Sequence, residues 1–279
     1  MEYKLAGYAR ADMLASPEWL AIHLNDPGVR VVDARGANRY GEGHIPNAVN
    51  LPVARIDDPA SPVRSALLPP DRFGVLVGNA GIANGDAVVI YDDGVGLMAA
   101  RLFWALHYYG HEKLAILEGG IPRWMAKGKE VTNAATSVQP KSYTAQPHLD
   151  RGATKEVVVE RLGKQDTVLL DVRSWDEYTG EVVQALRGGH IPGAKFLEWT
   201  SALVEGSVPV LKSAEELAQQ FVALGVTPDK EIITYCQGGV RAAHTYYVLR
   251  LLGYDKVRNY TGSWGEWGND PSLPIEQGE

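Results

Sequence analysis

The stretch VVDAR at residues 31–35 returns as LLDVR at residues 169–173. Other landmarks return in the same order along the chain. They pair GHIPNA at 43–48 with GHIPGA at 189–194, VVIY at 88–91 with IITY at 232–235, and Gly119 and Trp124 with Gly262 and Trp267. Chance matches between short segments would not keep the same order along the chain. We therefore interpret the chain as a duplication. The second copy carries an eight-residue insertion within residues 179–188.

Each copy has the pattern of an α/β domain. Short apolar runs bounded by polar residues are typical of buried parallel strands. These runs lie at 30–33, 87–91 and 114–117 in the first copy, and at 168–171, 231–235 and 257–260 in the second. The middle run is followed by a helical pattern that ends at Gly110 or Gly253. The pattern therefore predicts two tandem domains, each a parallel sheet flanked by helices on both faces.

A polar, aperiodic stretch separates the copies. It contains Pro140 and Pro147 and shows neither helical nor strand periodicity. We therefore expect a non-catalytic N-terminal domain at residues 1–130, a linker at 131–149 and a catalytic C-terminal domain at 150–279.

The composition excludes several classes of protein. Of the 279 residues, 45% are hydrophobic and 22% are charged, which excludes a disordered or fibrous chain. The net charge of -7 argues against a nucleic-acid partner held by a basic face. No apolar stretch is long enough to span a membrane, and residues 1–12 lack the apolar core of a signal peptide. We therefore expect no nucleic-acid or membrane partner and a cytoplasmic location.

The sequence contains one cysteine, Cys236, which excludes an intrachain disulfide and every multi-cysteine metal site. It lies where the strand at 231–235 ends and a helix begins, the position at which open α/β sheets form their sites. Gly238 and Gly239 let the backbone curl, so that N–H groups and the helix N-terminus face inward. Such a cradle favours a thiolate or a bound oxyanion, and Arg241 adds a fixed positive charge.

These residues resemble the two-domain form of the rhodanese family. The resemblance rests on Asp-x-Arg after the first strand, on Gly-His-Ile-Pro in both halves, on CQGGVR at 236–241 and on GSWGEWG at 262–268. It implies that only the C-terminal domain is catalytic, and Asp92 stands where the first copy would carry a cysteine. It also implies a ping-pong reaction. Cys236 takes a sulfane sulfur from a donor to form a persulfide, and cyanide, a small thiol or a thioredoxin-like acceptor removes it. No metal or organic cofactor is implied.

The resemblance also bears on the sulfur donor. Thiosulfate-type loops generally carry basic residues, of which Arg241 is one. Mercaptopyruvate-type enzymes place an arginine four residues after the Asp-x-Arg arginine, where this chain has Glu177. Thiosulfate is therefore favoured over 3-mercaptopyruvate. The expected site consists of a catalytic Cys236 and the following substrate-binding residues: Gln237, Gly238, Gly239, Val240, Arg241 and Arg187.

Two other functions remain open from the sequence. One is a cysteine-based phosphatase or arsenate reductase, but those enzymes place five residues between cysteine and arginine, whereas four separate Cys236 from Arg241. The other is a persulfide carrier that is loaded by a protein partner. The intact loop argues against a dead module but not against a carrier.

Several polar residues receive structural interpretations. The Asp-x-Arg pairs are expected to form ion pairs within their own domains. His44 and His190 are expected to be structural, because both copies carry them. His244 is expected to be packed or exposed rather than catalytic.

Overall fold

A computed structural model of the protein describes residues 7–204 and 206–278, and it divides them into two compact units. Unit 1 comprises the described parts of Met1–Asp58, Leu67–His148 and Leu203–Leu211. Unit 2 comprises the described parts of Pro59–Ala66, Leu149–Ala202 and Lys212–Glu279. Each unit therefore includes one short segment from the other half of the sequence.

Unit 1 is built on a five-stranded sheet in the order β1-β5-β4-β2-β3, in which every pair is parallel. Its strands are β1 (Leu14–Ala15), β2 (Val29–Asp33), β3 (Val49–Asn50), β4 (Ala87–Tyr91) and β5 (Leu114–Leu117). Its helices are α1 (Pro17–His23), α2 (Ala37–Glu42), α3 (Pro70–Asn79), α4 (Leu97–Tyr108) and α5 (Gly120–Ala126).

Unit 2 repeats this topology, with the parallel strand order β6-β12-β11-β7-β8. Its strands are β6 (Gly152–Ala153), β7 (Thr167–Asp171), β8 (Lys195–Phe196), β11 (Glu231–Tyr235) and β12 (Val257–Tyr260). Its helices are α6 (Lys155–Arg161), α7 (Trp175–Thr179), α8 (Ala214–Ala223), α9 (Val240–Leu251) and α10 (Ser263–Trp267). Strands β9 (Leu203–Val204) and β10 (Val210–Leu211) form an antiparallel pair that belongs to unit 1.

Alternating side chains of each sheet bury against opposite layers. In unit 2, Leu169, Ile233 and Tyr235 pack in one cluster with Val158 of α6 and Trp264 of α10. Helix α9 packs against β11 and β12. The equivalent cluster in unit 1 joins β2, β4 and β5 with α1 and α5. Two tandem α/β domains with parallel sheets, as the periodicity predicts, are therefore confirmed.

Helices α4 and α9 are more enclosed than a one-faced pattern predicts. Residues 99–107 of α4 are all buried, and so are residues 242–249 of α9. Met98, which the pattern places on the inner face, is 39% exposed. Both helices are covered on most sides, so the spacing of apolar residues alone understates their burial. None of the helices within the described residues has the length and apolar character needed to cross a bilayer.

The polar stretch that follows α5 packs on unit 1. It has little regular structure, yet Lys141 donates its N–H to Gly78 and Gln146 donates its N–H to Tyr109. A Cβ at Gly78 would lie 2.3 Å from the Lys141 carbonyl oxygen, so glycine allows this close approach.

Candidate active site

Cys236 directly follows β11, at the carboxyl end of the unit 2 sheet, and only 2% of its surface is exposed. The chain reaches α9 through Gly239, which caps the helix with φ of 76°. A Cβ at Gly239 would lie 2.8 Å from the Thr261 Cα. The left-handed backbone and the close approach together require glycine there. Strand end, tight turn and helix start therefore meet at the thiol, as the sequence predicts.

The backbone donors of this loop fall into two groups. The N–H groups of Cys236 and Gly239 donate to the Ser263 hydroxyl oxygen, each at 3.1 Å. The others have no acceptor within the described part of the chain, and they belong to Gln237, Gly238, Val240, Arg241 and Ala242. Three of these five lie in the first turn of α9, where the helix dipole favours an anion. The loop can therefore supply donors to a sulfur anion or an oxyanion.

The first copy shows such a loop with a carboxyl group already in place. Asp92 follows β4 as Cys236 follows β11. Its carboxylate accepts four backbone N–H bonds, from Gly94 at 2.9 Å, Gly96 at 3.1 Å, Met98 at 2.9 Å and Ala99 at 3.2 Å. The unit 1 loop thus contains its own carboxylate, whereas the unit 2 loop contains a thiol.

Arg241 contacts Glu177. Its Nη1 lies 2.6 Å from Oε2, and its Nη2 lies 2.9 Å from Oε1. Glu177 is 3% exposed, and although burial opposes its ionisation, the Arg241 guanidinium and the Ser174 N–H lower its pKa to about 2. The pKa of Arg241 is raised by this hydrogen bond and by the charges of Cys236 and Glu177, although burial opposes the rise. Glu177 and Arg241 therefore stay charged at neutral pH. Arg241 also lies close enough to Cys236 for the two charges to interact.

Arg187 contacts backbone carbonyls at the end of α10 and in the segment that follows it. Its Nη1 donates to Leu273 at 2.8 Å, Nε to Gly268 at 3.4 Å and Nη2 to Trp267 at 3.2 Å, and Nη2 also donates to Asp270. These bonds join the end of the inserted segment to the end of the domain. Its expected contact with a sulfur donor stays a prediction.

Gln237 also contacts the insertion, because its side-chain amide donates to the Gln184 carbonyl at 3.0 Å. Gly238 faces another segment of the same unit, since a Cβ there would lie 3.6 Å from the Ser65 Oγ. Ser65 precedes the cysteine by most of the chain length, and sequence reasoning missed its presence here.

Asn259 and Ser263 are further site residues that sequence reasoning missed. Both are fully buried, and both contact the cysteine loop. The signal that could have found them is the comparison of copies, because Ile116 and Gly120 stand at the matching positions.

The other polar residues take the structural roles expected of them. Arg173 pairs with Asp171 through a 2.6 Å contact, and Arg35 pairs with Asp33 in the same way. His190 stacks on Tyr178 with 3.7 Å between ring centroids. The matching pair in unit 1, His44 and Tyr40, stacks at the same distance. His244 is buried, its pKa is lowered to about 4 by burial, and its ring meets Trp199 edge-on.

Comparison with known proteins places these features in a family. Residues 16–127 and 154–270 each match the family model of the Rhodanese-like domain. The chain is 38% identical to the sulfur carrier protein TtuD of Thermus thermophilus, across 98% of this chain and 99% of that one. It is 36% identical to a thiosulfate sulfurtransferase of Azotobacter vinelandii, across 96% and 98%. The crystal structure of SseA from Escherichia coli, described under 3-mercaptopyruvate sulfotransferases, superposes with a TM-score of 0.82 at 30% identity, across 90% and 98%. The chain belongs to the rhodanese family.

Proposed function

We propose that this protein is a sulfurtransferase that moves a sulfane sulfur from thiosulfate to cyanide or a thiol acceptor through a persulfide on Cys236. The contrast between the two loops carries the proposal. In unit 1 the Asp92 carboxylate occupies the N–H groups of its loop. In unit 2 the matching loop presents a thiol and leaves five N–H groups for a ligand.

The relatives support the reaction class. The names of the Azotobacter vinelandii and Escherichia coli proteins describe sulfur transfer, and the Thermus thermophilus protein is named a sulfur carrier. Each of the three aligns with at least nine-tenths of this chain. The fold, the cysteine loop and the names of the relatives therefore all support sulfur transfer as the reaction class.

The first half-reaction loads the cysteine. The Cys236 thiolate attacks the outer sulfur of thiosulfate and forms a new S–S bond. The S–S bond of thiosulfate breaks, and sulfite leaves with its electron pair. Backbone N–H groups at the start of α9 stabilise the negative terminal sulfur of the persulfide, as helix N-termini stabilise other anions.

The second half-reaction unloads it. The carbon of cyanide attacks the terminal sulfur, the persulfide S–S bond breaks, and thiocyanate leaves while the thiolate returns. A small thiol or a thioredoxin-like protein would take the same sulfur as a persulfide of its own. Neither half-reaction needs a metal or an external oxidant.

Glu177 supports thiosulfate over 3-mercaptopyruvate as the donor. Its carboxylate is ionised and lies on the loop cation, Arg241. Enzymes of the mercaptopyruvate type hold the donor carboxylate with an arginine at this position, and an ionised glutamate cannot replace that arginine.

A persulfide carrier is the second candidate. The engagement of Arg241 by Glu177 favours it, because a donor that arrives as a protein persulfide needs no cation to hold a dianion. The two candidates differ in turnover. A carrier would load readily from a desulfurase and turn over poorly with thiosulfate and cyanide.

The decisive experiment is mass spectrometry of the intact protein after incubation with thiosulfate, together with thiocyanate formation on adding cyanide. Wild type should gain one sulfur atom, lose it to cyanide and turn over. Cys236→Ser should fold, gain no sulfur and form no thiocyanate, because a serine hydroxyl scarcely ionises. Assays with 3-mercaptopyruvate and with an aryl phosphate on the same preparation test the competing donor and the phosphatase reading. Sulfur addition to Cys236→Ser would refute the proposal.

A further inference from the structure

Two buried polar side chains hold the loop of Cys236. The Ser263 Oγ accepts the N–H groups of Cys236 and Gly239, and its hydroxyl donates to the Tyr260 carbonyl at 2.7 Å. The Asn259 Nδ2 donates to the Gly239 carbonyl at 3.0 Å. Both backbone groups of Gly239, the residue that turns the chain into α9, are thus bound by side chains.

Neither side chain suits its local structure. Ser263 has φ of 53°, the left-handed region that non-glycine residues seldom occupy. Asn259 is fully buried in β12, and its Oδ1 has no hydrogen-bond partner among the residues described. Asparagine is depleted in strands, and an unpaired buried polar atom lowers stability. Local backbone preference therefore does not account for either residue.

The first copy supplies an internal comparison. Asn259 pairs with Thr234 across the sheet as Ile116 pairs with Ile90. Ser263 stands three residues after the end of β12, as Gly120 stands three residues after the end of β5. Gly120 has φ of 54°, so the backbone has the same left-handed conformation in both copies. The copy without a cysteine carries the residues that this backbone prefers, and the copy with a cysteine carries polar ones.

We propose that Asn259 and Ser263 are positioning residues, which hold the Cys236 loop so that its remaining N–H groups meet the sulfur. The inference rests on the proposed function for its purpose and on the hydrogen bonds for its geometry. Ser263 engages the N–H groups of Cys236 and Gly239, which leaves those at the start of α9 for the ligand. Without the two side chains the loop would relax, and preorganised donors stabilise a developing charge only when they are already in place.

The test replaces each side chain with one that suits the backbone. Asn259→Val introduces a β-branched residue that suits the strand, and Ser263→Gly keeps the left-handed turn. Each should lower kcat/KM for thiosulfate by about 10- to 100-fold. Each should also move the pH profile of iodoacetamide alkylation of Cys236 to higher pH, because a relaxed loop stabilises the thiolate less. Glu177 and Arg241, the charged pair beside the thiol, are unchanged in both variants.

Melting temperature separates positioning from a merely structural role. Asn259→Val should melt close to wild type, because the lost bond to the Gly239 carbonyl is offset by removal of the unpaired Oδ1, and that carbonyl still accepts the Ala243 N–H. A structural role predicts the opposite, with a lower melting temperature and an unchanged alkylation profile. Ser213→Ala is the matched control, since it removes the N-cap of α8 without touching the loop. It should lower the melting temperature and leave the alkylation profile as in wild type.

Alkylation requires no sulfur donor, so the two proposals can fail separately. A wild-type protein that transfers no sulfur would refute the proposed function, while the alkylation profiles would still test Asn259 and Ser263. Wild-type profiles and wild-type kcat/KM in folded Asn259→Val and Ser263→Gly would overturn the inference. Ser263→Ala removes the same hydroxyl and provides a second test should the glycine variant not fold.

Discussion

The guanidinium of Arg241 binds both carboxylate oxygens of Glu177, with N–O distances of 2.6 and 2.9 Å. Glu177 also forms a capping box with Ser174 at the start of α7. The ion pair therefore ties the first turn of α9, next to the cysteine loop, to a helix that begins more than sixty residues earlier. The loop cation has a structural contact in addition to any contact with a donor.

Arg241→Ala should lower both stability and activity. The melting temperature should fall because the variant leaves the buried Glu177 carboxylate without its cation. Losing a charge-assisted hydrogen bond costs about 1.5 to 3 kcal/mol, and we expect kcat/KM for thiosulfate to fall by about ten- to a hundredfold. Thermal melting, thiosulfate kinetics and iodoacetamide alkylation on one preparation measure the effects. An unchanged melting temperature would contradict the structural contact, and unchanged thiosulfate kinetics would reject donor binding.

Glu177→Gln should remove an acid-sensitive part of the stability. The pKa of Glu177 is about 2 in the folded protein and about 4.5 without its partners. Its contribution to stability is therefore complete above about pH 4.5 and is lost as the pH falls towards 2. Glutamine preserves the capping box, so the variant should melt lower than wild type at pH 7 and should approach it at pH 3.

Glu216→Gln is the matched control for this charge. Glu216 forms the same capping box with Ser213 at the start of α8, and within the described residues its side chain hydrogen-bonds that serine and no cation. The difference in melting temperature between Glu216→Gln and wild type should change less with pH than the difference between Glu177→Gln and wild type. Equal pH dependence in both variants would show that the arginine contact adds nothing.

The strands and the cysteine loop could be predicted from the sequence, because local patterns of residues encode them. The run at 231–235 is bounded by polar residues and forms β11 with the same bounds. Gly239 occupies the left-handed turn that the double glycine predicts. These features depend on residues within a few positions of one another, which a linear pattern contains.

The contacts that shape the site could not be predicted from local patterns. Glu177 and Arg241 meet only through the fold, and Asn259 reaches Gly239 from a neighbouring strand. Asparagine and a left-handed serine also oppose local propensity, so no periodic pattern marks them. Aligning the two copies residue by residue would have marked them, because Ile116 and Gly120 obey the local rules that Asn259 and Ser263 break.

His244→Leu should reduce the loss of stability in mild acid. The pKa of His244 is lowered to about 4 by burial, so the folded protein resists its protonation, while the unfolded chain accepts a proton near pH 6.5. Stability therefore falls as the pH drops from about 6.5 to about 4. Melting temperatures at pH 7 and pH 5 should differ less in the variant than in wild type. His111, whose pKa is also lowered by burial, should leave a residual slope. An unchanged difference would show that His244 does not carry the effect.

Residues 149–279 expressed alone should be less stable and less active than the full chain. Unit 2 also includes Pro59–Ala66, and the Thr261 hydroxyl donates to the Ser65 carbonyl at 3.1 Å. The fragment loses that segment and retains residues 203–211, which belong to unit 1. Melting temperature and thiosulfate kinetics measure the loss. Thr261→Val in the full chain is the control, since it removes the bond to Ser65 while keeping the segment Pro59–Ala66. A fragment as stable and as active as the full chain would contradict the division into units.

Arg187 can be assigned by a pair of substitutions that treat charge and geometry differently. Lysine keeps the positive charge but cannot reproduce the bonds that Nε, Nη1 and Nη2 make to four carbonyls, whereas alanine loses both. If Arg187 holds the inserted segment, Arg187→Lys and Arg187→Ala should both melt lower than wild type and keep its KM for thiosulfate. If it holds the donor by charge, Arg187→Ala should raise KM and Arg187→Lys should preserve it. Because all three guanidinium nitrogens contact carbonyls, we expect the first pattern. A KM that rises in the alanine variant alone would contradict this expectation and would show that Arg187 binds the donor.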